Sequence, residues 1–232
     1  MPQLIAMIII VVGAMIYMFQ TFGGTGDKIE GIAQKTSIIT EINNIKNGLK
    51  LATRTEALLN SGGTVTGDQV KTLQGLAFSG YFAEQINEQL KNKLTAKTDT
   101  RNVYNAISFG GDKGTGDVLT TANTSDLQIS LVSDVANKIP GLFVDLSKGG
   151  LKSNAGFLES QIATDLGAVA YVDRKANTNT AGATALTADQ IKEIGTDIAG
   201  RIPGVSSAGT ESDGMFIVYF KDFGATKIIV VV

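Results

Sequence analysis

The side chains that carry out most enzymatic chemistry are scarce in this sequence. It contains no histidine and no cysteine, so neither a Ser-His-Asp nor a Cys-His arrangement can form. The commonest general base and the commonest metal ligand are therefore missing together. No nucleophile elbow, Walker loop or Ser-x-x-Lys motif occurs either. We expect no enzyme and no cofactor, and without cysteine we expect no disulfide framework.

One Gly-rich segment is a weak candidate for a metal site. Residues 110–117 read Gly-Gly-Asp-Lys-Gly-Thr-Gly-Asp, and they lack the Gly-Lys-Ser/Thr ending of a phosphate-binding loop. Asp112 and Asp117 could bind calcium together with backbone carbonyls, because hard cations prefer clustered oxygens. The segment does not match an EF-hand, and an ordinary exposed turn is the simpler interpretation.

The other carboxylate candidates lie in charged segments. Asp173 stands directly before Arg174 and Lys175 in the sequence. Glu211 is separated from Asp213 by a single serine. We interpret both groups as solvated loop charges, since such runs usually face water.

The balance of charge argues against nucleic acid as a partner. The chain carries 20 basic and 22 acidic residues, for a net charge of -2. Proteins that bind nucleic acid need a basic excess to neutralise phosphates. We therefore predict no specific nucleic-acid binding.

The most informative stretch is the apolar N-terminus. Residues 4–22 contain no charged residue and correspond to about 19 residues or roughly 28 Å of helix, which matches the hydrocarbon thickness of a bilayer. We assign residues 1–26 to a membrane or filament-core helix with a glycine hinge, and residues 27–232 to a globular head domain. The core positions are Leu4, Ile5, Ile8, Val12, Ile16 and Phe19, and the hinge glycines are Gly23, Gly24 and Gly26.

Three interpretations of this segment compete: a cleaved secretory signal, a plain membrane anchor, and an anchor that doubles as an assembly helix. A signal peptide would have a basic n-region and a small-x-small cleavage site, and neither occurs before Asp27. The other two interpretations stay open at this point.

The head should begin with a long amphipathic helix over residues 28–60, ending at the glycines of 61–63. An apolar stripe recurs at steps of three and four: Ile38, Ile42, Ile45, Leu49, Ala52 and Leu59. The opposite face carries Lys35, Glu41, Lys46, Lys50 and Arg54. Such a helix must pack on something, and a sheet from the rest of the chain is the obvious partner.

Shorter elements follow this helix. The aromatic residues Phe78, Tyr81 and Phe82 are interpreted as core residues rather than a binding patch. In chain order we predict a helix over residues 66–76 with Thr66 as N-cap, an interruption at 78–82, a helix over 83–94, a strand over 103–109, a partly helical segment over 157–172, an exposed loop over 176–183, and a closing hairpin with strands 216–221 and 227–232.

An internal similarity suggests a duplication. Residues 124–141 line up without a gap with residues 187–204, and each segment ends in Ile-Pro-Gly. We predict in each a capped helix stopped by a turn, followed by a strand, so that the paired units span 124–146 and 187–220. The alternative is that two similar helix ends converged on the same capping pattern.

This order of elements resembles the type IV pilin superfamily, and the start Met1-Pro-Gln-Leu-Ile5 is similar to its type IVb-like branch. The resemblance implies an α+β fold in which a long hydrophobic and amphipathic helix with a glycine break packs on an antiparallel sheet in a C-terminal globular head. It implies a structural subunit of an extracellular type IV pilus-like filament, with Met1 as the processed N-terminus. The implied partners are other copies of the chain in a helical homopolymer, the inner membrane before assembly, and the pilus assembly machinery.

The chain also departs from the pilin pattern. Most pilins carry a glutamate close to the mature N-terminus, whereas no acidic residue precedes Asp27 here, so docking would need another device. Many bacterial pilins have a disulfide that this chain cannot form. Two alternatives therefore remain: a single-pass, membrane-anchored surface binding protein, and a pseudopilin of a secretion or DNA-uptake system.

Overall fold

The computed structural model describes part of the chain: residues 30–55, 72–91, 102–111, 125–132 and 138–223. Several predicted features lie outside these residues: Met1 and the apolar helix with its glycine hinge, Leu59, the N-cap Thr66, Asp112, Asp117 and the last predicted strand at 227–232. In the described part of the chain, no helix combines the length and apolar character needed to cross a bilayer.

The first helix, α1, occupies residues 30–54 and confirms the prediction of a long amphipathic helix. The described part of its apolar stripe is fully buried: Ile38, Ile42, Ile45, Leu49 and Ala52. These residues belong to the same hydrophobic cluster as residues of the sheet. Glu41 was expected on the opposite, polar face, but it is only 7% exposed, so that expectation was wrong.

The remaining helices are short. They are α2 (Leu73–Phe78), α3 (Glu84–Lys91), α4 (Ala155–Leu166), α5 (Ala188–Ile194) and α6 (Thr196–Ala199). The predicted interruption between α2 and α3 is confirmed. A continuous helix from residue 66 to 76 is not, because Thr72 has an extended backbone and its side chain accepts the N-capping hydrogen bond from Gly75 N. Of the three aromatic residues there, Phe82 is buried, Tyr81 packs against the core, and Phe78 is exposed.

Within the described residues, five strands form one antiparallel sheet in the order β1-β2-β3-β5-β4. Their bounds are β1 Tyr104–Asn105, β2 Gln128–Leu131, β3 Gly141–Asp145, β4 Ala170–Asp173 and β5 Met215–Phe220. Every residue of β3 is buried, which indicates that both faces of the sheet are covered there. The sheet and helices together give an α+β fold.

One strand prediction was too long. β1 is shorter than the predicted strand 103–109, because residues 107–109 form a 3₁₀ turn that ends at Gly110 with φ of 86°. Of the predicted closing hairpin, the first strand forms as β5, which pairs with β3 on one side and with β4 on the other. The second strand of that hairpin, at 227–232, lies outside the described residues.

The predicted duplication is also wrong as a structural repeat. In the second segment, Thr187 and Gln190 form a capping box and α5 follows, as predicted. The corresponding part of the first segment is the strand β2. The reason is an alternation of period two, in which the buried Leu127, Ile129 and Leu131 are separated by polar residues. The strands predicted after each segment do form, as β3 and β5.

Candidate functional site

Between residues 32 and 51, the solvent-facing side of α1 has no exposed charged residue. The exposed residues between positions 32 and 51 are Ile32, Ala33, Thr36, Ser37, Thr40, Asn44, Asn47 and Leu51. At 100° per residue these positions lie on one side of the helix. We call this set the outer α1 face.

The lysines of α1 are turned towards the head instead. Lys35 Nζ lies 2.6 Å from Asp165 Oδ2, at the end of α4. Lys46 Nζ and Lys50 Nζ both contact Asp222 Oδ2, at 2.8 and 2.5 Å. These three lysines hold α1 against the head. The exposed charged residues of the helix, Glu30 and Arg54, lie at its two ends, so the outer α1 face is neutral between them.

The two lysines favour the charged form of Asp222. Burial on its own raises the pKa of the Asp222 carboxyl, but hydrogen bonds from Lys46 and Lys50 and the charges of both lysines outweigh it. The pKa is held below its usual value. Lys46 Nζ also lies 4.3 Å from the ring centroid of Phe220 in β5, which is a cation–π distance.

Glu41 is an acidic residue of α1 that also contacts the head. Its buried carboxylate accepts a 2.9 Å hydrogen bond from the Tyr104 hydroxyl on β1 and a second one from the Ser108 hydroxyl. Burial, together with the charge and hydrogen bond of Glu41, raises the pKa of Tyr104 and keeps the phenol protonated as a donor. The sequence signal for this role was its spacing, because Glu41 lies three residues after Ile38 and four before Ile45, at the border of the apolar stripe.

The threonines of the outer α1 face satisfy their hydroxyl donors within the helix. Thr36 Oγ1 donates to the carbonyl of Ile32 at 2.9 Å, and Thr40 Oγ1 donates to that of Thr36 at 2.8 Å. These bonds persist when the face is covered, so the two threonine hydroxyl donors stay satisfied there. Large apolar side chains are exposed beside them, with Ile32 at 58% and Leu51 at 49%.

A close approach fixes the inner side of α1. A Cβ atom on Gly48 would lie 2.1 Å from Phe82 Cδ1 and 2.9 Å from the carbonyl oxygen of Tyr81. Only glycine fits there, since real Cβ atoms do not approach so closely. The helix is therefore seated directly against the turn between α2 and α3.

A second feature of the surface is a polar cleft of 390 Å³, which lies on the side of β4 that faces away from β5. Its walls come from β4 and the following turn, from α5 with the loop before it, and from the loop after α6. The side chains that matter for its chemistry are Tyr171, Asp173, Arg174, Gln190, Glu193 and Ser207. We call this feature the polar cleft.

Asp173 was expected to be a solvated loop charge, and this was wrong. It ends β4 and is only 3% exposed. Its Oδ2 accepts from Ser206 N at 2.6 Å, and its Oδ1 accepts from Lys175 N at 3.1 Å. Burial raises the pKa of Asp173, while these two backbone bonds and the Lys175 charge oppose the rise.

Arg174 is held in the wall of the cleft by a carboxylate that the sequence analysis missed. Glu159 of α4 is fully buried and accepts from Arg174 Nε at 2.7 Å, from Ser212 N at 3.0 Å and from Gly214 N at 2.9 Å. Glu211 accepts from Arg174 Nη1 at 3.2 Å at the surface. The available signal was an acidic residue within the apolar stripe of α4, between Leu158 and Ile162.

The described residues contain no group of three acidic side chains that could hold a metal ion. A comparison with protein-family models, curated proteins and solved structures finds no match to this chain.

Proposed function

We propose that this chain is the structural subunit of an extracellular, type IV pilus-like filament. In this proposal residues 1–22 polymerise as the apolar filament core after storage in the inner membrane, and residues 23–26 break the helix before the head. The outer α1 face is the part of the head that contacts the next subunit. The long helix lies across the antiparallel sheet, an arrangement supported by the contacts of Glu41 with Tyr104 and of Lys46 with Phe220.

The observation that carries the proposal is the charge distribution of α1. A helix face that stays in water normally presents charged side chains. Here the lysines reach inward to Asp165 and Asp222, and the outer α1 face keeps only apolar and neutral polar groups. Covering that face requires no desolvation of charge, which would otherwise be the main cost of burying a helix surface.

Side-chain size supports the same conclusion. Between Ile32 and Leu51 the outer α1 face consists of alanine, serine, threonine and asparagine. Helices with short side chains at the contact reach the close end of the usual 8–10 Å range of interaxial distance. The apolar residues at both ends would then bury their exposed surface against the neighbour, at about 25 cal/mol per Å².

The test introduces one charge into this face. Thr40→Glu is compared with Thr164→Glu on α4, because both threonines are exposed and both donate to the carbonyl four residues earlier. We expect cells producing the wild-type chain or Thr164→Glu to yield filaments with a helical repeat in electron micrographs. Thr40→Glu should reduce the assembled fraction by about tenfold, since a charge buried at a subunit contact costs more than 1.4 kcal/mol.

The proposal would be abandoned if the full-length wild-type chain forms no filament, or if Thr40→Glu assembles as well as Thr164→Glu. Circular dichroism of both variants checks that the head still folds. A short pseudopilin would assemble without abundant surface filaments, so the number of copies at the cell surface separates that alternative.

The polar cleft favours a second candidate, a single-pass anchored surface binding protein. That alternative predicts ligand binding that survives removal of residues 1–26, and no helical assembly of the full chain. The filament proposal predicts assembly whether or not the cleft is occupied.

A further inference from the structure

The polar cleft is built from side chains that are already fixed in place. Asp173 is immobilised by the backbone N–H groups of Ser206 and Lys175. Gln190 accepts from Thr187 N at 2.7 Å and donates through Nε2 to the Tyr171 hydroxyl at 3.0 Å. Fixed groups lose little side-chain entropy when a ligand binds, which is a property of preformed sites.

The cleft offers both donors and acceptors to a ligand. Because the Tyr171 oxygen accepts from Gln190, its own hydrogen remains to be donated. Each carboxylate oxygen of Asp173 accepts one backbone hydrogen bond and has a second lone pair. The exposed Glu193 and Ser207 complete the lining with a carboxylate and a hydroxyl.

The charges of the cleft do not select an ion. Arg174, the strongest candidate for an anion, is already engaged by Glu159 and Glu211. The acidic side chains Asp173, Glu193 and Glu211 do not form a group that could hold a metal ion. With Arg174 and Lys175 opposite three acids, the lining is close to neutral, so neither a phosphate group nor a divalent cation finds complementary charge.

An apolar ligand fits no better. The apolar residues of the lining are the aromatic Tyr171 and three small aliphatic residues, Val172, Ala185 and Val205. The volume of 390 Å³ equals about 13 liquid water molecules at ~30 Å³ each, which leaves room for one sugar ring with its hydroxyl groups and some water. Neighbouring sugar hydroxyls both donate and accept, and the apolar face of the ring can lie on an aromatic side chain.

We propose that the polar cleft binds a neutral carbohydrate, with one hexose unit between Tyr171 and Asp173 on one side and Gln190 and Glu193 on the other. Asp173 and Glu193 accept hydrogen bonds from sugar hydroxyls, and the Tyr171 hydroxyl donates to one. The site adds glycan binding to the proposed filament subunit, but its geometry lies within one head and requires no neighbouring copy.

The test is saturation-transfer NMR on the full-length chain in a detergent that has no sugar headgroup. The probes are glucose, galactose, mannose and N-acetylglucosamine, with inorganic phosphate and calcium measured by calorimetry. We expect saturable binding of at least one hexose with a Kd of about 1 mM. Tyr171→Phe and Glu193→Gln should each weaken it about tenfold, since the first removes the donor hydroxyl and the second replaces a charged acceptor oxygen with an amide donor.

Matched controls are Tyr81→Phe and Glu88→Gln, which make the same chemical changes away from the cleft. They should retain wild-type affinity, and so should Thr40→Glu, whether or not it assembles. The proposal is overturned if no hexose binds saturably, if both cleft variants bind like wild type, or if phosphate or calcium binds in the cleft instead.

Discussion

The outer α1 face and the polar cleft are two exposed regions of one chain that treat charge in opposite ways. On α1 the lysines turn inward to Asp165 and Asp222, and neutral side chains are left at the surface. In the cleft, charged groups stay at the surface and are held there from below, as Arg174 is by Glu159. The difference separates a surface suited to being covered by protein from one suited to a small polar ligand.

A buried carboxylate stands behind each region. Glu41 lies under α1 and accepts from two hydroxyl groups of the head. Glu159 lies under the cleft and accepts from Arg174 and two backbone N–H groups. Both acids are anchored by donors, as buried charges must be, but only Glu159 fixes a charged group that reaches the surface. Substitutions of Glu41 contacts and of Glu159 can therefore test the two regions separately.

The largest effect is expected on the cleft side, from Glu159→Gln. The amide is nearly isosteric, but it removes the charge that partners Arg174 and places donor hydrogens near two backbone N–H groups. We expect the free energy of unfolding to fall by about 3 kcal/mol, as for other broken buried ion pairs. Urea unfolding of the full-length chain, followed by circular dichroism, measures the change.

Glu211→Gln is the matched control, because Glu211 contacts the same guanidinium from the exposed side. Its loss should cost less than about 1 kcal/mol. Equal effects of the two variants would show that burial does not decide which partner holds Arg174.

The next effect concerns the seat of α1 and compares two glycines of one helix. Gly48→Ala places a Cβ against the buried Phe82 ring and the Tyr81 backbone, whereas the nearest atom to a Cβ at Gly31 is the exposed Phe157 ring at 3.3 Å. Overpacking at Gly48 should exceed the helix-propensity gain of about 1 kcal/mol and leave a net loss of about 2 kcal/mol. Gly31→Ala should be neutral or stabilising by up to about 1 kcal/mol.

Urea unfolding of the two alanine variants measures the contrast. A Gly48→Ala variant as stable as Gly31→Ala would mean that α1 is not held at the distance from the turn between α2 and α3 that the contacts indicate.

Local patterns in the sequence were enough to predict parts of this fold. The apolar stripe of α1 and the capped helix that follows Thr187 depend on residues a few positions apart, and both were predicted correctly. The strand β2 was mistaken for a helix because its segment carries a capping pattern as well as a strand alternation. Its pairing with β3 favours the strand, and that contact is not local. The position of β5 between β3 and β4 is likewise a property of topology.

The two candidate surfaces were harder to predict for the same reason. A lysine on the polar side of a helical pattern is expected in water, and the partners Asp165 and Asp222 of the α1 lysines are more than a hundred residues away. Asp173 was predicted as a loop charge because its contact with Ser206 N, which lies 33 residues later, is not visible in the local sequence. Sequence spacing identifies which side chains are polar, but it does not tell which of them are turned inward.

A smaller effect is expected from Tyr104→Phe, which removes one of the two hydroxyl donors to Glu41. A hydrogen bond to a buried charged group contributes about 1.5 kcal/mol, and we expect that loss in the free energy of unfolding. Tyr81→Phe is the control, because the Tyr81 hydroxyl bonds to the exposed Thr55 and its removal should cost less than about 0.5 kcal/mol. If the two variants are equally stable, the Tyr104 hydroxyl does not stabilise the buried Glu41 carboxylate, and the proposed role of this hydrogen bond in holding α1 is wrong.

The smallest effect on stability is expected from the ion pairs of Asp222 with the two lysines of α1. Their contribution can be separated from others by its dependence on pH. Since the lysines hold the pKa of Asp222 below its unfolded value, the stabilisation is fully present above about pH 4 and is lost as the pH falls through the lowered pKa. Asp222→Asn should therefore be less stable than wild type at pH 7 by less than about 1 kcal/mol, and the gap should close in acid and narrow in high salt. Asp189→Asn, which removes an almost fully exposed carboxylate beside Lys192, is the control and should change the stability at pH 7 by less than Asp222→Asn does. Urea midpoints between pH 7 and 2.5 measure both variants, and a gap for Asp222→Asn that persists in acid would mean that the ion pairs do not turn the α1 lysines inward.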